Sequence, residues 1–155
     1  MVERKHGKLE VASSKTDDTC HRLKISSEAS VNMGIKYYKD QELERKVNEI
    51  AKRLGMRHDL SRIICIRSYG SSSKRVLARC HALPRIMQLA LNVKPHYAIE
   101  IISENFDRLS EEEKTKTLIH ELMHIPKSFG GGFKFHNVVN KKSVDEMYRK
   151  YKNFS

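Results

Sequence analysis

Hydrophobic residues recur with regular spacing along most of the chain, beginning after about residue 33. Four apolar residues of DQELERKVNEIAKRLG lie three or four positions apart: Leu43, Val47, Ile50 and Leu54. This spacing places side chains on one face of a helix. Asp40 is suited to cap the beginning of that helix, and Gly55 to end it. The pattern therefore predicts an amphipathic helix between these two residues.

Three short stretches rich in β-branched and apolar residues predict the strands of a sheet. They are RIICIRS (62–68), VLARCHAL (76–83) and HYAIEIIS (96–103), of which the last has the strongest pattern. The polar GSSSKR between the first two predicts a turn. A hairpin formed by that turn could bring Cys65 and Cys80 to face each other, although a disulfide would be unusual in a reducing compartment.

Three further stretches predict helices: PRIMQLALN (84–92), LSEEEKTKTLIHELMHI (109–125) and KKSVDEMYRKYKNF (141–154). The second is the strongest, because Ser110 and Glu113 fit a capping box at its beginning. Pro126 makes its continuation unfavourable, since the residue before a proline avoids the helical region. The order α-β-β-α-β-α-α predicts an α+β domain with a small sheet packed on helices.

The length of 155 residues suits one domain with a modest core. Residues 1–33 are polar and lack sustained periodicity, so we expect a flexible or loosely docked segment before a folded domain at 34–155. No apolar run approaches the ~18 residues of a membrane-spanning helix. The beginning, MVERKHGKLE, lacks the apolar part of a secretory signal. The expected location is the cytoplasm.

The chain is strongly basic. Thirty Lys and Arg residues stand against nineteen Asp and Glu, a formal charge of +11. Such a charge favours contact with DNA or another polyanion, and residues 1–33 could act as a basic arm. A basic surface that is simply solvated is the alternative. No membrane partner is expected.

The cysteines are too few for a disulfide framework. Two of the three precede a histidine, as Cys20-His21 and Cys80-His81. Such pairs could form a structural zinc clip, but no C-x-x-C spacing supports one. Core or surface packing is the simpler interpretation.

The strongest predicted helix contains the motif H-E-x-x-H. His120 and His124 are four residues apart, so both side chains leave the same face of a helix and can share one zinc ion. Glu121 then lies beside the metal without being a ligand. A carboxylate there can take a proton from zinc-bound water and pass it to a leaving amine. Residues of these types at this spacing predict metal-dependent hydrolysis.

A catalytic zinc needs a third protein ligand and an open position. His136 follows a connection that contains Pro126 and a run of three glycines, which could turn the chain back to the metal. Glu146, on the last predicted helix, is the alternative. Position 130 is Gly, so the H-E-x-x-H-x-x-G-x-x-H pattern is absent. We favour His136.

The stretch LSEEEKTKTLIHELMHIPKSFGGGFKFH, with ALPRIMQLAL and HYAIEIISENFD before it, resembles the phage-type metallopeptidase family. These are small zincin domains of viruses, bacteria and archaea. More distantly, the stretch is similar to the SprT and Spartan group, which also has H-E-x-x-H and a later histidine. The resemblance covers about residues 60–140, and its most specific part is HELMHIPK followed by glycines and a histidine.

The resemblance implies a minimal zincin-like domain, with a small three-stranded sheet packed on the active-site helix, and a zinc metalloendopeptidase activity. It implies zinc on His120, His124 and His136, with Glu121 as general acid and base. It also implies that a protein or peptide substrate pairs with a sheet edge beside the active-site helix. HYAIEIIS or VLARCHAL could supply that edge, and the alternative for both stretches is a core strand.

The sequence does not identify the residue that donates to the oxyanion, and it does not identify the substrate. Tyr148, Arg149 and His81 are conceivable donors to the transition-state oxyanion, and the choice stays open. The positive charge and the similarity to the Spartan group suggest a substrate that is associated with DNA. The alternative function is a non-enzymatic nucleic-acid-binding domain with a structural zinc site.

Overall fold

The computed structural model describes residues 34–154. Four strands and five α-helices follow one another, with a short 3-10 helix at Leu60–Arg62: β1 (Lys36–Lys39), α1 (Gln41–Arg53), β2 (Ile63–Tyr69), β3 (Ala78–Ala82), α2 (Arg85–Leu91), β4 (Tyr97–Ile102), α3 (Ser103–Phe106), α4 (Glu111–His124) and α5 (Lys141–Asn153). The architecture is mixed α+β, as the sequence predicts.

The four strands form one sheet in the order β1-β2-β4-β3. β2 and β4 are parallel, with Ile63 opposite Tyr97, whereas β1 and β3 each pair antiparallel with their neighbours. The parallel pair needs a long crossover, and β3 and α2 lie within it. β3 pairs with β4 at one end of this strand order, so it is an edge strand of the sheet.

The core lies between one face of the sheet and the helices α1 and α4. Alternate residues of β4 point into it, and Leu118, Ile119 and Leu122 of α4 meet them with no exposed surface. α1 contacts both β2 and α4, and α5 also packs against α4. The strongest predicted helix is thus fixed on several sides, which is what a site on that helix requires.

The ends of helices α1 and α4 carry the capping residues predicted from the sequence. The Asp40 side chain accepts a hydrogen bond from the Leu43 N–H, and Gly55, two residues after the end of α1 at Arg53, has a φ of 65°. Ser110 and Glu113 form the predicted capping box of α4. Ile125 is already extended, as expected before a proline.

The prediction of a three-stranded sheet was wrong, because β1 adds a fourth strand. All four residues of β1 are exposed, so KYYK has no apolar alternation that could reveal a strand. β1 is held by backbone pairing with β2, from Lys36 opposite Tyr69 to Lys39 opposite Ile66. The short helix α3, directly after β4, was also not predicted.

The predicted hairpin was also wrong. β4 lies between β2 and β3, so Cys65 and Cys80 are each opposite Ile99, on its two sides. Both thiols are free. The topology also decides between the two proposed sheet edges: β3, from VLARCHAL, is an edge strand, whereas β4, from HYAIEIIS, is interior.

No helix among residues 34–154 is both long and apolar enough to cross a membrane. The expectations for residues 1–33, including the pair Cys20-His21, lie outside the described residues.

Candidate metal centre

Helix α4 carries the first three residues of the candidate site. His120 and His124 lie in its last turns and face the same side, and their Nε2 atoms are 3.0 Å apart. The helix ends immediately after His124, so the chain is free to turn back. Pro126, two residues after His124, accounts for this end of the helix.

His136 completes a group of three imidazoles. Each of His120, His124 and His136 offers a ring nitrogen, and these nitrogens all lie within 4.8 Å of one another. Two imidazole nitrogens bound to a tetrahedral zinc at about 2.0–2.1 Å would be separated by about 3.3 Å. The donor type and the spacing therefore fit a zinc ion, with His136 exposed on the solvent side and His124 buried.

The backbone of Lys134 orients the His124 ring. His124 Nδ1 lies 2.5 Å from the Lys134 carbonyl oxygen, and the Lys134 N–H donates to the His124 carbonyl at 2.8 Å. With the proton on Nδ1, the Nε2 lone pair points into the group of histidines, an arrangement common among metal-binding histidines. Phe133 stacks on the same ring, with centroids 4.6 Å apart.

The glycine run is anchored to the sheet by Tyr97. The buried hydroxyl of this residue accepts a hydrogen bond from the Gly131 N–H at 3.0 Å and donates one to the Gly132 carbonyl at 2.9 Å. Gly131 has a φ of 89°, a conformation that favours glycine. The loop from α4 to His136 therefore follows a fixed path.

Burial favours the neutral forms of His120 and His124. Burial, reinforced by the neighbouring His124 and His136, lowers the pKa of His120 to about 4. Burial also lowers the pKa of His124, although the Lys134 carbonyl opposes part of that effect. Neutral imidazoles have the free lone pair that a metal ion needs.

Glu121 is a buried carboxyl group beside these rings, with 6% of its surface exposed. Burial raises its pKa to about 7, and the Cys80 N–H in β3 offsets part of the rise. A carboxyl group with a pKa near neutrality can both accept and return a proton.

The site opens into a groove of about 890 Å³ between β3, α4 and the beginning of α5. Its walls include every residue of β3 from Ala78 to His81, together with the three histidines and Glu121. Among residues 34–154, β3 pairs only with β4, so one of its edges has no partner in this part of the chain. An unpaired strand edge presents backbone N–H and C=O groups that no neighbouring strand satisfies.

The other residues named from the sequence are placed differently. Glu146, the alternative third ligand, is exposed on α5 and is not part of the histidine group. His81 lines the groove, but its Nε2 lies 2.8 Å from Glu100. Tyr148 packs under Lys116, and the Arg149 Nε donates to a carbonyl of its own helix. Neither of these last two residues lines the groove.

Two contributors to the site were not predicted. Lys134 acts through its carbonyl oxygen, and no side-chain pattern announces such a role. Tyr97 was placed in a strand, but a strand pattern does not say that its hydroxyl holds a loop 34 residues further along. The only signal was the glycine run, which indicated a loop that needs support.

Comparisons with known proteins give one family. Neither the curated proteins nor the solved structures include a significant match to the chain. The model of the family described as Putative phage metallopeptidase matches residues 35–150, which includes the whole histidine group and most of the described fold. The chain therefore belongs to this metallopeptidase family.

Proposed function

We propose that the chain is a zinc-dependent endopeptidase. The observation that supports this most strongly is the grouping of His120, His124 and His136 in a groove that also contains the buried Glu121. The family, a metallopeptidase family, agrees with this chemistry. The three imidazoles would hold the ion and leave a position open to solvent on the side of the exposed His136.

Bound zinc would supply a Lewis acid that polarises the substrate carbonyl and activates water. Glu121 supplies the base: its carboxyl group lies beside the histidines with a pKa of about 7. It accepts a proton as the nucleophile attacks and donates it to the leaving amine. Lys134 contributes by holding the His124 ring through its carbonyl.

We further propose that the substrate is an extended peptide that pairs with β3. Residues of β3 line the groove, and one edge of this strand is unpaired among residues 34–154. Glu121 interacts with the Cys80 N–H of the same strand. A peptide added there would pass directly over the histidine group. Backbone pairing gives affinity without requiring a particular sequence.

The test is the substitution Glu121→Gln. We expect the variant to keep its fold and its zinc, because a neutral amide of the same shape replaces a residue that is not a ligand. Its cleavage of an unfolded protein such as casein should fall by at least about 100-fold. Zinc content by mass spectrometry of metals and circular dichroism would be measured with the activity.

Glu112→Gln is the matched control, since Glu112 is exposed on the same helix and pairs with Lys116 at 2.8 Å. It should retain full activity. Proteolysis by Glu121→Gln at the level of the unchanged protein would contradict the proposed mechanism. Unfolding on zinc removal, with no activity in any variant, would favour a structural zinc site.

A nucleic-acid-binding role is the second candidate, and a specific surface favours it. Tyr37, Tyr38 and Tyr69 are 59%, 54% and 43% exposed, and Lys36 and Lys39 are exposed beside them. The rings of Tyr38 and Tyr69 meet edge to face at 5.9 Å. Exposed aromatic rings among cations suit the bases and phosphates of a single strand.

We expect a single-stranded oligonucleotide to bind with an affinity that falls steeply with salt concentration. Replacing Lys36 and Lys39 by Gln should reduce the slope of log K against log salt by about 0.7 per lost phosphate contact. Lys94→Gln with Lys142→Gln is the control. Absent or salt-insensitive binding, measured by fluorescence anisotropy, would exclude this role.

A further inference from the structure

A second cavity, of about 660 Å³, lies on the other side of helix α4. It is lined by residues from the end of α1, the segment before the 3-10 helix, α4, the loop after α4, and α5. None of its lining residues belongs to the active-site groove. Its volume falls in the range of about 300–1,000 Å³ that holds small ligands.

The inner wall of this cavity is apolar and rich in methionine. Six residues form it: Leu54, Met56, Leu122, Met123, Ile125 and Met147. Leu122 and Ile125 are fully buried, and the other four are partly buried against the core. Methionine side chains are flexible and polarizable, so they adapt to apolar groups of varied shape.

The rim of the cavity carries positive charges and no acidic residue that would neutralise them. Arg57, Lys127, Lys134 and Lys150 line it, and no Asp or Glu does. Within residues 34–154 none of these four residues forms an ion pair with an acidic residue. In the active-site groove, by contrast, Arg79 and Lys116 both pair with acidic residues. Four cations around one opening attract an anion.

His58 adds an unsatisfied polar group. Both of its ring nitrogens are buried without a hydrogen-bond partner among the described residues. The carbonyls of Ile125 and Pro126 are close enough to affect its pKa, but the geometry makes neither a hydrogen bond. Buried polar atoms of proteins are almost always partnered. A polar group of a ligand in the cavity would provide what His58 lacks.

We propose that this cavity binds a small anionic amphiphile. Its apolar body lies against the methionine-rich wall, and its carboxylate or phosphate group lies among the four cations within reach of His58. The proposal rests on the cavity alone and does not depend on peptidase activity. The occupant is a free small molecule, because the apolar wall is recessed behind a charged rim rather than spread over a surface.

The experiment uses decanoate as the probe and the methionine methyl groups as reporters, observed by NMR on the full chain. We expect saturable shifts of the Met56, Met123 and Met147 signals. Met87, exposed on α2 and outside the cavity, serves as an internal control and should not shift. Decanol, which lacks the charge, and inorganic phosphate, which lacks the apolar body, should each bind at least about tenfold more weakly.

A pair of exposed rim residues tests the charge. Lys127→Gln with Lys150→Gln should weaken decanoate binding by about tenfold. Lys94→Gln with Lys142→Gln, outside the cavity, should leave it unchanged. Parallel shifts of Met87, equal binding of decanol, equal binding of phosphate, or no shift at millimolar decanoate would each overturn the proposal. Tighter competition by an acidic, leucine-rich peptide would assign the cavity to a protein partner instead.

Discussion

Gly131 is the residue on which the path of the loop from α4 to His136 depends. Its φ of 89° lies where side chains are rarely tolerated, and an added Cβ would overlap with Nε2 of Gln88. Gly130, its neighbour, has room for a Cβ, since the nearest atom, Ser128 Oγ, would be 3.9 Å away. The two adjacent glycines therefore have very different tolerance to substitution.

We expect Gly131→Ala to lower the free energy of unfolding by about 1–2 kcal/mol, the usual cost of a side chain in this backbone region. Zinc affinity should fall as well, because the same loop positions His136. Gly130→Ala is the control and should change neither quantity appreciably. Chemical denaturation and zinc titration of both variants would measure this. Equal effects of the two substitutions would contradict a conformational role for Gly131.

The thiols of Cys65 and Cys80 give a prediction about pH. Burial, with Glu44 and Asp40 nearby, raises the pKa of Cys65 to about 12, and burial with Glu121 nearby does the same for Cys80. An unfolded thiol ionises near pH 8.5. A thiol whose pKa is raised on folding stabilises the fold fully below the unfolded pKa, and this contribution is lost between about pH 8.5 and 12.

In a Cys20→Ser background we therefore expect both thiols to react with iodoacetamide at pH 8 at least about 100-fold more slowly in the native chain than in urea, because the thiolate is the reactive form. Mass spectrometry of the alkylated products would follow each cysteine. Fast native alkylation of Cys80 would mean that the groove is more open in solution than in the structure.

Some residues of the candidate site were indicated by the sequence, and others were not. The sequence indicated His120, Glu121 and His124 because their types and helical spacing carry a chemical meaning. His136 was favoured from the glycine run, and the structure brings its ring to the other two; their roles stay predictions. The carbonyl of Lys134 and the ring nitrogens of His58 could not be anticipated, since both depend on how distant segments pack.

Among the elements, helix α4 is stabilised at its N-terminus by a capping box. The Ser110 Oγ accepts from the Glu113 N–H at 3.3 Å, and the Glu113 carboxylate accepts from the Ser110 N–H at 3.0 Å. These contacts satisfy two backbone donors that the helix leaves free. The register of the helix, and with it the direction of the two histidines, begins here.

We expect Ser110→Ala to reduce the free energy of unfolding by about 1 kcal/mol. Ser110→Asp should recover most of that loss, because Asp caps equally well. Ser72→Ala, in an exposed loop, is the control for removing a serine hydroxyl. Urea denaturation of the three variants is sufficient. No difference between Ser110→Ala and Ser72→Ala would mean that packing alone fixes the helix.

The helices were predicted better than the sheet, for a physical reason. An amphipathic helix such as α1 shows its buried face within a few turns of sequence, and its caps are local. Strand pairing is not local: β2 pairs with β4 rather than with β3, which lies between them in the sequence, and Ile63 is opposite Tyr97. No pattern inside GSSSKR could reveal that the chain crosses over instead of turning back.

At the scale of the whole molecule, zinc binding should stabilise the folded chain, because the three histidines are brought together there. We expect zinc to raise the thermal unfolding midpoint, and His136→Ala to remove most of that increase. Glu146→Ala and His96→Ala should preserve it. Thermal denaturation with zinc and with chelator would show this. Loss of the increase in Glu146→Ala alone would make Glu146 the third ligand.

The three histidines all lie between residues 120 and 136, so an ion that joins them closes only short loops. The entropy cost of closing a loop depends on its length and not on whether the sheet has assembled. The denatured chain consequently retains some affinity for zinc, and that affinity subtracts from the stabilisation of the native state. Zinc should therefore raise the unfolding free energy by less than its affinity for the folded chain implies. The metal can also be captured before the crossover between β2 and β4 is complete.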